Sequence, residues 1–540
     1  MRPVLVALAV LAALLPATAA SQGVPCIDGL ATLPDDDPTT DDDGPYPCNG
    51  VRFLARLPVS TFASPGSPAP EANNDVWGWT DAQTGREYAL VGTQNGTAFV
   101  DVSTPTAPVY LGKLPTATVA SIWRDVKVYR DHAFVVADGA GGHGMQVFNL
   151  ARLRAVSAPP ATFEADAVYT GLGSAHNVVV NEATGFAYAV GSRPTPGLGL
   201  PPSCGERGLH MIDVRDPKRP AFAGCVSDAA RDTNPVVSPG YTHDAQCVVY
   251  AGPDADYRGR ELCFASNEDV VTVFDVTDKA AARIVSQVEY PNDRYTHQGW
   301  LTEDHRFFLA NDELDELQGN ERTQRTLILN VEDLDEPEYV GAYDSGLPTI
   351  DHNLYVRDGF VYESNYEAGL RILDARGVAD GVLQEVAFFD TFPSRTTITT
   401  PCLPPQQGRL CSSFNGQWSN YPYFESGVVV ANDADNGLFV LRPDPLAPPV
   451  VPDVFSLSNP VPNPTATGAR LTLFVEADQE VRAELLDAAG RRVRTLYSGP
   501  AVTGRPVRLT VPAAGLAAGV YLVHVVGERF ETTRQVTVAR

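Results

Sequence analysis

Short apolar strands ending in Asp or Asn recur along the chain. They read Ala98-Phe99-Val100-Asp101, Gln146-Val147-Phe148-Asn149, His210-Met211-Ile212-Asp213, Val273-Phe274-Asp275, Ile328-Leu329-Asn330 and Arg371-Ile372-Leu373-Asp374, and a seventh copy, Gly437-Leu438-Phe439-Val440-Leu441, lacks the acid. After several copies a Pro- or Asp-containing turn leads into another strand, as at Pro108-Val109-Tyr110-Leu111-Gly112. Upstream of each copy two polar residues open a mostly apolar strand: Asn74-Asp75, Arg124-Asp125, His176-Asn177, His243-Asp244, His297-Gln298, His352-Asn353 and Ser419-Asn420. A further strand follows each pair, which makes four strands per unit and seven units. Helical periodicity is nearly absent, and 45 Gly with 44 Pro suit tight turns between short strands. Four-stranded units in repetition predict an all-β chain built as a seven-bladed β-propeller over residues 51–442.

The seventh unit ends at Leu441-Arg442 and runs into the Pro-rich stretch 443–452 without a fourth strand. Val51-Arg52-Phe53-Leu54-Ala55-Arg56-Leu57 resembles the outer strands of the other units and is expected to complete blade seven, removing two open sheet edges. Residues 453–540 alternate apolar and polar positions between Gly-containing turns, which predicts a small Ig-like β-sandwich.

The N-terminus adds a compartment. Arg2 precedes the apolar run Val4 to Leu15 and the small-residue stretch Ala17-Thr18-Ala19-Ala20, the pattern of a secretory signal peptide over 1–20. That run is shorter than the ~20 residues a membrane span needs, and no transmembrane segment is expected. Residues 21–50 read as an acidic linker. Eight cysteines in an exported chain suggest disulfides, and they fall into four local pairs: Cys26/Cys48, Cys204/Cys225, Cys247/Cys263 and Cys402/Cys411. The 40 basic and 66 acidic residues give a net charge of −26, which argues against nucleic acid and anionic membranes as partners.

The segments Asn459-Pro460-Val461-Pro462-Asn463-Pro464, Leu486-Asp487-Ala488-Ala489-Gly490-Arg491 and Leu516-Ala517-Ala518-Gly519-Val520-Tyr521-Leu522, in that order, resemble the type A sorting domain of the type IX secretion system. The resemblance implies the type IX secretion machinery as a partner and a secreted or outer-membrane surface location. Residues 73–442 resemble the choice-of-anchor B family of LVIVD-repeat propellers. The likeness rests on Trp123-Arg124-Asp125-Val126-Lys127-Val128, Ser174-Ala175-His176-Asn177, Thr242-His243-Asp244, His297-Gln298-Gly299-Trp300-Leu301 and Asp351-His352-Asn353-Leu354-Tyr355. That family implies a surface protein and carries over no activity.

In a propeller the first strand of each blade lines the channel, so equivalent positions form a ring. Arg124, His176, His243, His297 and His352 then share one level, with Asp125, Asn177, Asp244, Gln298 and Asn353 one residue on. The four histidines are candidate ligands for a divalent metal, calcium or zinc, and Arg124, Asp125, Asp244, Gln298 and Asn353 are candidate ligand contacts at the channel mouth. The competing explanation is that these side chains hydrogen-bond between blades and satisfy buried backbone groups. Asp312 and Glu313, in the acidic loop 311–316, offer oxygen ligands that suit calcium, whereas surface acidity accounts for the loop without any ligand. The chain has no Gly-x-Ser-x-Gly elbow, phosphate loop or His-Glu-x-x-His. The expected function is therefore a non-enzymatic binding module that holds a protein, glycan or ion at a propeller face. The alternative is a metal-dependent hydrolase of the lactonase or phosphoesterase kind that uses the His/Asp ring.

Overall fold

The computed structural model describes residues 23–32, 45–195, 197, 199–201, 207–228, 240–393, 400–401, 410–411, 414–446, 455–457, 460, 463–475, 477–488, 490–503 and 507–539. The signal segment 1–20 and residues 33–44 of the expected acidic linker lie outside these residues.

The described chain is all-β, and its strands pair antiparallel except where Ala161–Thr162 adds in parallel to Val109–Pro115. Before residue 446, seven sheets carry the repeated strands. Sheet one holds Asn73–Thr80, Glu87–Thr93, Gly96–Asp101 and Val109–Pro115, and sheet two Arg124–Tyr129, His132–Ala137, Met145–Asn149 and Ala167–Tyr169. Sheet three holds Asn177–Asn181, Phe186–Val190, Leu209–Asp213 and Ala221–Val226, and sheet four Asp244–Val249, Glu261–Ser266, Val271–Asp275 and Arg283–Val288. Sheet five holds Thr296–Leu301, Phe307–Asp312, Arg325–Asn330 and Glu338–Asp344, and sheet six Asn353–Arg357, Phe360–Ser364, Leu370–Asp374 and Gln384–Phe389. Sheet seven takes Gln417–Tyr421, Val429–Asp433 and Gly437–Pro443 from the end of this region and Val51–Leu57 from its start.

Local chemistry makes these hairpins. Arg130-Asp131 joins the first two strands of sheet two with φ of 46° and 57°, and Asp358-Gly359 does the same in sheet six at 54° and 75°. Two consecutive positive φ values match the right-handed twist of the flanking strands. The second strands Glu261–Ser266, Phe307–Asp312 and Phe360–Ser364 are buried along their whole length, whereas the fourth strand Arg283–Val288 is mostly exposed or half-buried. Strands apolar on both faces need neighbours on both sides, and the sheets supply them.

Seven apolar layers each join one sheet to the next. Leu90, Phe99, Val126 and Val135 bind sheet one to sheet two, and Phe264, Val273, Phe308 and Leu327 bind four to five. The seventh layer, with Val76, Val91, Val430 and Val440, joins sheet seven back to sheet one. Each first strand lies beside the first strand of the next sheet, and Gln417–Tyr421 lies beside Asn73–Thr80.

The region 21–50 departs from the expected linker. Tyr46–Asn49 adds to the outer edge of sheet six, pairing Cys48 with Phe389, and Leu30–Ala31 adds beyond it. Tyr46 and Cys48 are buried there against Phe389 and Phe439. A free edge offering Phe388 and Phe389 accepts a strand too short to show alternation.

Cys26–Cys48 and Cys247–Cys263 are disulfides, the second directly across paired strands of sheet four. Cys225 is disulfide-bonded as well; its expected partner Cys204 and the side chains of Cys402 and Cys411 lie outside the described residues.

At the C-terminal end, a sheet of Phe455–Leu457, Gly468–Val475 and Val507–Pro512 and a sheet of Gln479–Asp487, Arg492–Ala501, Gly519–Gly527 and Glu531–Val538 share one core built around Leu471, Leu485, Leu509, Val523 and Val536. No helix among the described residues is long and apolar enough to cross a membrane.

Candidate site at the centre of the seven sheets

The first strands of all seven sheets contribute to one small cavity of about 20 Å³, lined by Asp75, Arg124, Asp125, Lys127, His176, Asn177, His243, Asp244, His297, His352, Asn353, Tyr355 and Trp418 among others. That space takes one water or one ion, since a single water needs about 10–15 Å³. A bulge between Thr296 and Gly299 shifts the register where sheet five begins, so His297 and Gln298 stand out of the regular alternation.

The four expected histidines come together. Ring centroids of His176 and His243 lie 4.3 Å apart, those of His243 and His297 4.2 Å, and those of His297 and His352 4.2 Å. His243 Nδ1 is 2.9 Å from the His297 carbonyl, and His352 Nδ1 is 2.5 Å from the Trp418 carbonyl, each reaching the next sheet. A carbonyl can only accept, so each Nδ1 carries the proton and each Nε2 keeps a lone pair. Burial holds all three inner rings neutral: it pushes His352 down to about 3, and it acts with neighbouring imidazoles to push His243 and His297 well below their ordinary value.

The histidines differ in their acidic partners. His176 Nδ1 faces Asp138 at 3.3 Å. Glu313 lies 3.8 Å from Nε2 of both His297 and His352, and it accepts a 2.7 Å hydrogen bond from the Tyr366 hydroxyl. Burial pushes Glu313 up to about 7.

The remaining expected contacts serve the joints between sheets. Arg124 lines the cavity, but its guanidinium is held by the joint to sheet one, donating to the Thr93 carbonyl at 3.0 Å and meeting His143 Nε2 at 3.1 Å. Asp125 accepts from Val178 N at 2.7 Å and from Lys127 Nζ at 2.5 Å. Gln298 clamps Leu354 through both its carbonyl and its amide, Asn177 donates to the His243 carbonyl, and Asn353 donates to the Trp418 carbonyl. Asp244 accepts from Ala245 N, and burial with the nearby Asp125 charge pushes it up to about 7. These residues satisfy buried backbone groups of their neighbours.

The acidic loop is not surface acidity. Asp312 and Asp315 are 1% exposed and Glu316 5%. Asp312 accepts from Arg294 N, Tyr295 N and the Tyr290 hydroxyl, so its oxygens organise the loop and leave it unavailable as a calcium ligand. Only the adjacent Glu313 points to the histidines.

Two features escape the sequence reading. Lys127 sits between Asp125 and Asp75, 3.3 Å from the latter, and supplies the charge that lets these acids coexist. Beyond it, a second cavity of about 370 Å³ is lined by Trp77, Trp300, Tyr355, Val179, Val248, Asn181, Glu182 and Gln246. Trp300 packs edge-on to Tyr355 at 5.1 Å, and Lys127 lies 4.6 Å over the Trp77 ring. Lys127, Asp244 and Tyr355 border both cavities. The interleaved aromatic positions of the first strands carried the signal for this cavity.

No known family profile matches the chain, and no curated protein does. Among solved structures, a protein from Lactobacillus plantarum is similar with a TM-score of 0.42 and 13% identity, over 82% of this chain and 99% of that one. The extracellular domain of a protein assigned as a hybrid two component system from B. thetaiotaomicron is similar with a TM-score of 0.37 and 10% identity over 90% of this chain, which spans 59% of that one.

Proposed function

We propose that this chain is an exported seven-bladed β-propeller of the choice-of-anchor B kind, delivered by a C-terminal type IX sorting domain, and that it works as a binding module taking a small glycan unit in its channel. The observation that carries the ligand reading is the 370 Å³ cavity, in which Trp77, Trp300 and Tyr355 meet Asn181, Glu182, Gln246 and Lys127. Ligand sites commonly hold 300–1,000 Å³ with aromatic walls and a few placed polar groups. An aromatic face suits the apolar side of a sugar ring, and the amides and carboxylate suit its hydroxyls. The disulfides Cys26–Cys48 and Cys247–Cys263, with the bonded Cys225, fit an oxidising, extracellular compartment.

A panel of mono- and disaccharides titrated against intrinsic fluorescence tests this, because two of the five tryptophans line the cavity. The reading expects saturable quenching by at least one sugar and its loss in Trp300→Ala. A silent panel, or binding that survives Trp300→Ala, overturns it. The hydrolase alternative draws on the neutral imidazoles beside Glu313; it requires lactone or phosphoester turnover that chelator and His297→Ala both abolish.

A further inference from the structure

We propose that His297, His352 and Glu313 bind one divalent cation of the zinc class, through Nε2 of each imidazole and one carboxylate oxygen. The inference stands independently of the glycan reading. It begins from geometry: each Nε2 lies 3.8 Å from a Glu313 oxygen, and one ligand atom from each residue falls within 4.8 Å of the others. Bonds of about 2.1 Å in a tetrahedral shell set ligand atoms about 3.4 Å apart. The two 3.8 Å distances run to different oxygens, Oε2 to His297 and Oε1 to His352, so a single carboxylate oxygen must close by about 0.4 Å on one imidazole and each remaining pair by no more than about 1.4 Å.

The parts able to close this distance are distinguishable from the parts that hold still. His297 and His352 occupy the same position in consecutive sheets, are 2% and 3% exposed, and stack at 4.2 Å. Glu313 follows the last residue of Phe307–Asp312, precedes the single helical turn Asp315–Gln318, and is half-buried at the mouth. A loop carboxylate can swing inward while the strands keep the imidazoles in place.

The surroundings match what a metal site needs beyond its ligands. His352 gives its Nδ1 proton to the Trp418 carbonyl, so Nε2 faces the site with a free lone pair. The Tyr366 hydroxyl steadies Glu313 Oε1 from the next sheet. Such outer hydrogen bonds orient ligating imidazoles and carboxylates. Two imidazoles and one carboxylate favour zinc, cobalt or nickel over calcium and magnesium, which prefer all-oxygen shells. Three protein ligands leave a fourth position, and the partial exposure of Glu313 opens it to water or to a ligand's oxygen.

The test uses the full mature chain, stripped with chelator, dialysed, and titrated with Zn²⁺ by calorimetry and with Co²⁺ by visible absorption. The expected result is one equivalent of Zn²⁺ per chain, a Co²⁺ spectrum of low coordination number, and no competition from millimolar Ca²⁺. His297→Ala and Glu313→Gln are each expected to weaken Zn²⁺ binding at least a hundredfold, and Tyr366→Phe about tenfold. His524→Ala, which removes a histidine of the C-terminal sheets, is expected to leave both affinity and stoichiometry unchanged. If His297→Ala does not fold, Glu313→Gln decides the matter from its half-buried loop position. Absence of Zn²⁺ binding by the folded wild type overturns the proposal, as does binding that Glu313→Gln leaves intact.

Discussion

Replacing Lys127 with Met removes the one positive charge between two buried aspartates, together with the ammonium's contact over Trp77, while keeping an apolar stem of similar length. The ammonium lies 2.5 Å from Asp125 and 3.3 Å from Asp75, and all three side chains are at least 86% buried. Deleting one partner of a buried ionic network leaves uncompensated charge and costs about 3–5 kcal/mol. Unfolding entropy of about 2.1 cal/mol/K per residue over the roughly 390 residues of the seven sheets converts this to a drop of about 4–6 °C in Tm. The sign with pH follows from the carboxylates. In the wild type, burial pushes Asp75 well above its ordinary value and works to raise Asp125 too, yet Lys127 and the hydrogen bonds from Asp75 and Val178 N hold Asp125 below its ordinary value. Its contribution is therefore present above the unfolded value near pH 4 and is lost as pH falls through the depressed one. In Lys127→Met the same groups lie above their unfolded values, so the cost is full at pH 7.5 and shrinks toward pH 5 as they protonate. Thermal unfolding followed by circular dichroism at both pH values, with Lys127→Met/Asp75→Asn as a partial rescue, reads this out. A Tm change under 1 °C at pH 7.5, or an equal loss at both pH values, refutes the reasoning.

Two further outcomes follow from the packing. Cys247→Ser/Cys263→Ser opens a link across 16 residues and is expected to cost about 3 kcal/mol, read as a lower denaturation midpoint with unchanged far-ultraviolet spectrum. Ending the chain after Leu446 removes partly exposed ion pairs such as Arg508 with Glu336 and Arg470 with Glu338, pairs worth about 0–1 kcal/mol each, so the seven sheets are expected to keep their Tm within about 2 °C.

What the sequence disclosed and what it hid have physical reasons. The first strands announce themselves because each opens with polar residues and then turns apolar, and the histidines at that opening in four consecutive units indeed stack within 4.3 Å. The pairing of Val51–Leu57 with Gly437–Pro443 was also legible, because a unit that ends after three strands leaves an edge demanding a partner. The strands at Leu30–Ala31 and Tyr46–Asn49 were hidden, being too short for a period-two pattern to register. The choice between Asp312 and Glu313 was hidden too. They are adjacent in sequence, and the bulge at Thr296/Gly299 and the amides of Arg294 and Tyr295 decide which one turns inward. Arg124 fits the ring by position, but its partners, Thr93 at the end of a strand in sheet one and His143 in a loop of sheet two, are linked to it by no local pattern.

The central claim is that seven sheets follow one another round an axis and bring His297, His352 and Glu313 to one point. A crystal structure of the Zn²⁺-soaked chain, phased with anomalous data at the zinc edge, measures both parts at once. The account predicts seven sheets, with residues 51–57 paired to 437–443 and one anomalous peak between those three side chains. Six or eight sheets, a detached 51–57 segment, or a peak elsewhere in the molecule contradicts it.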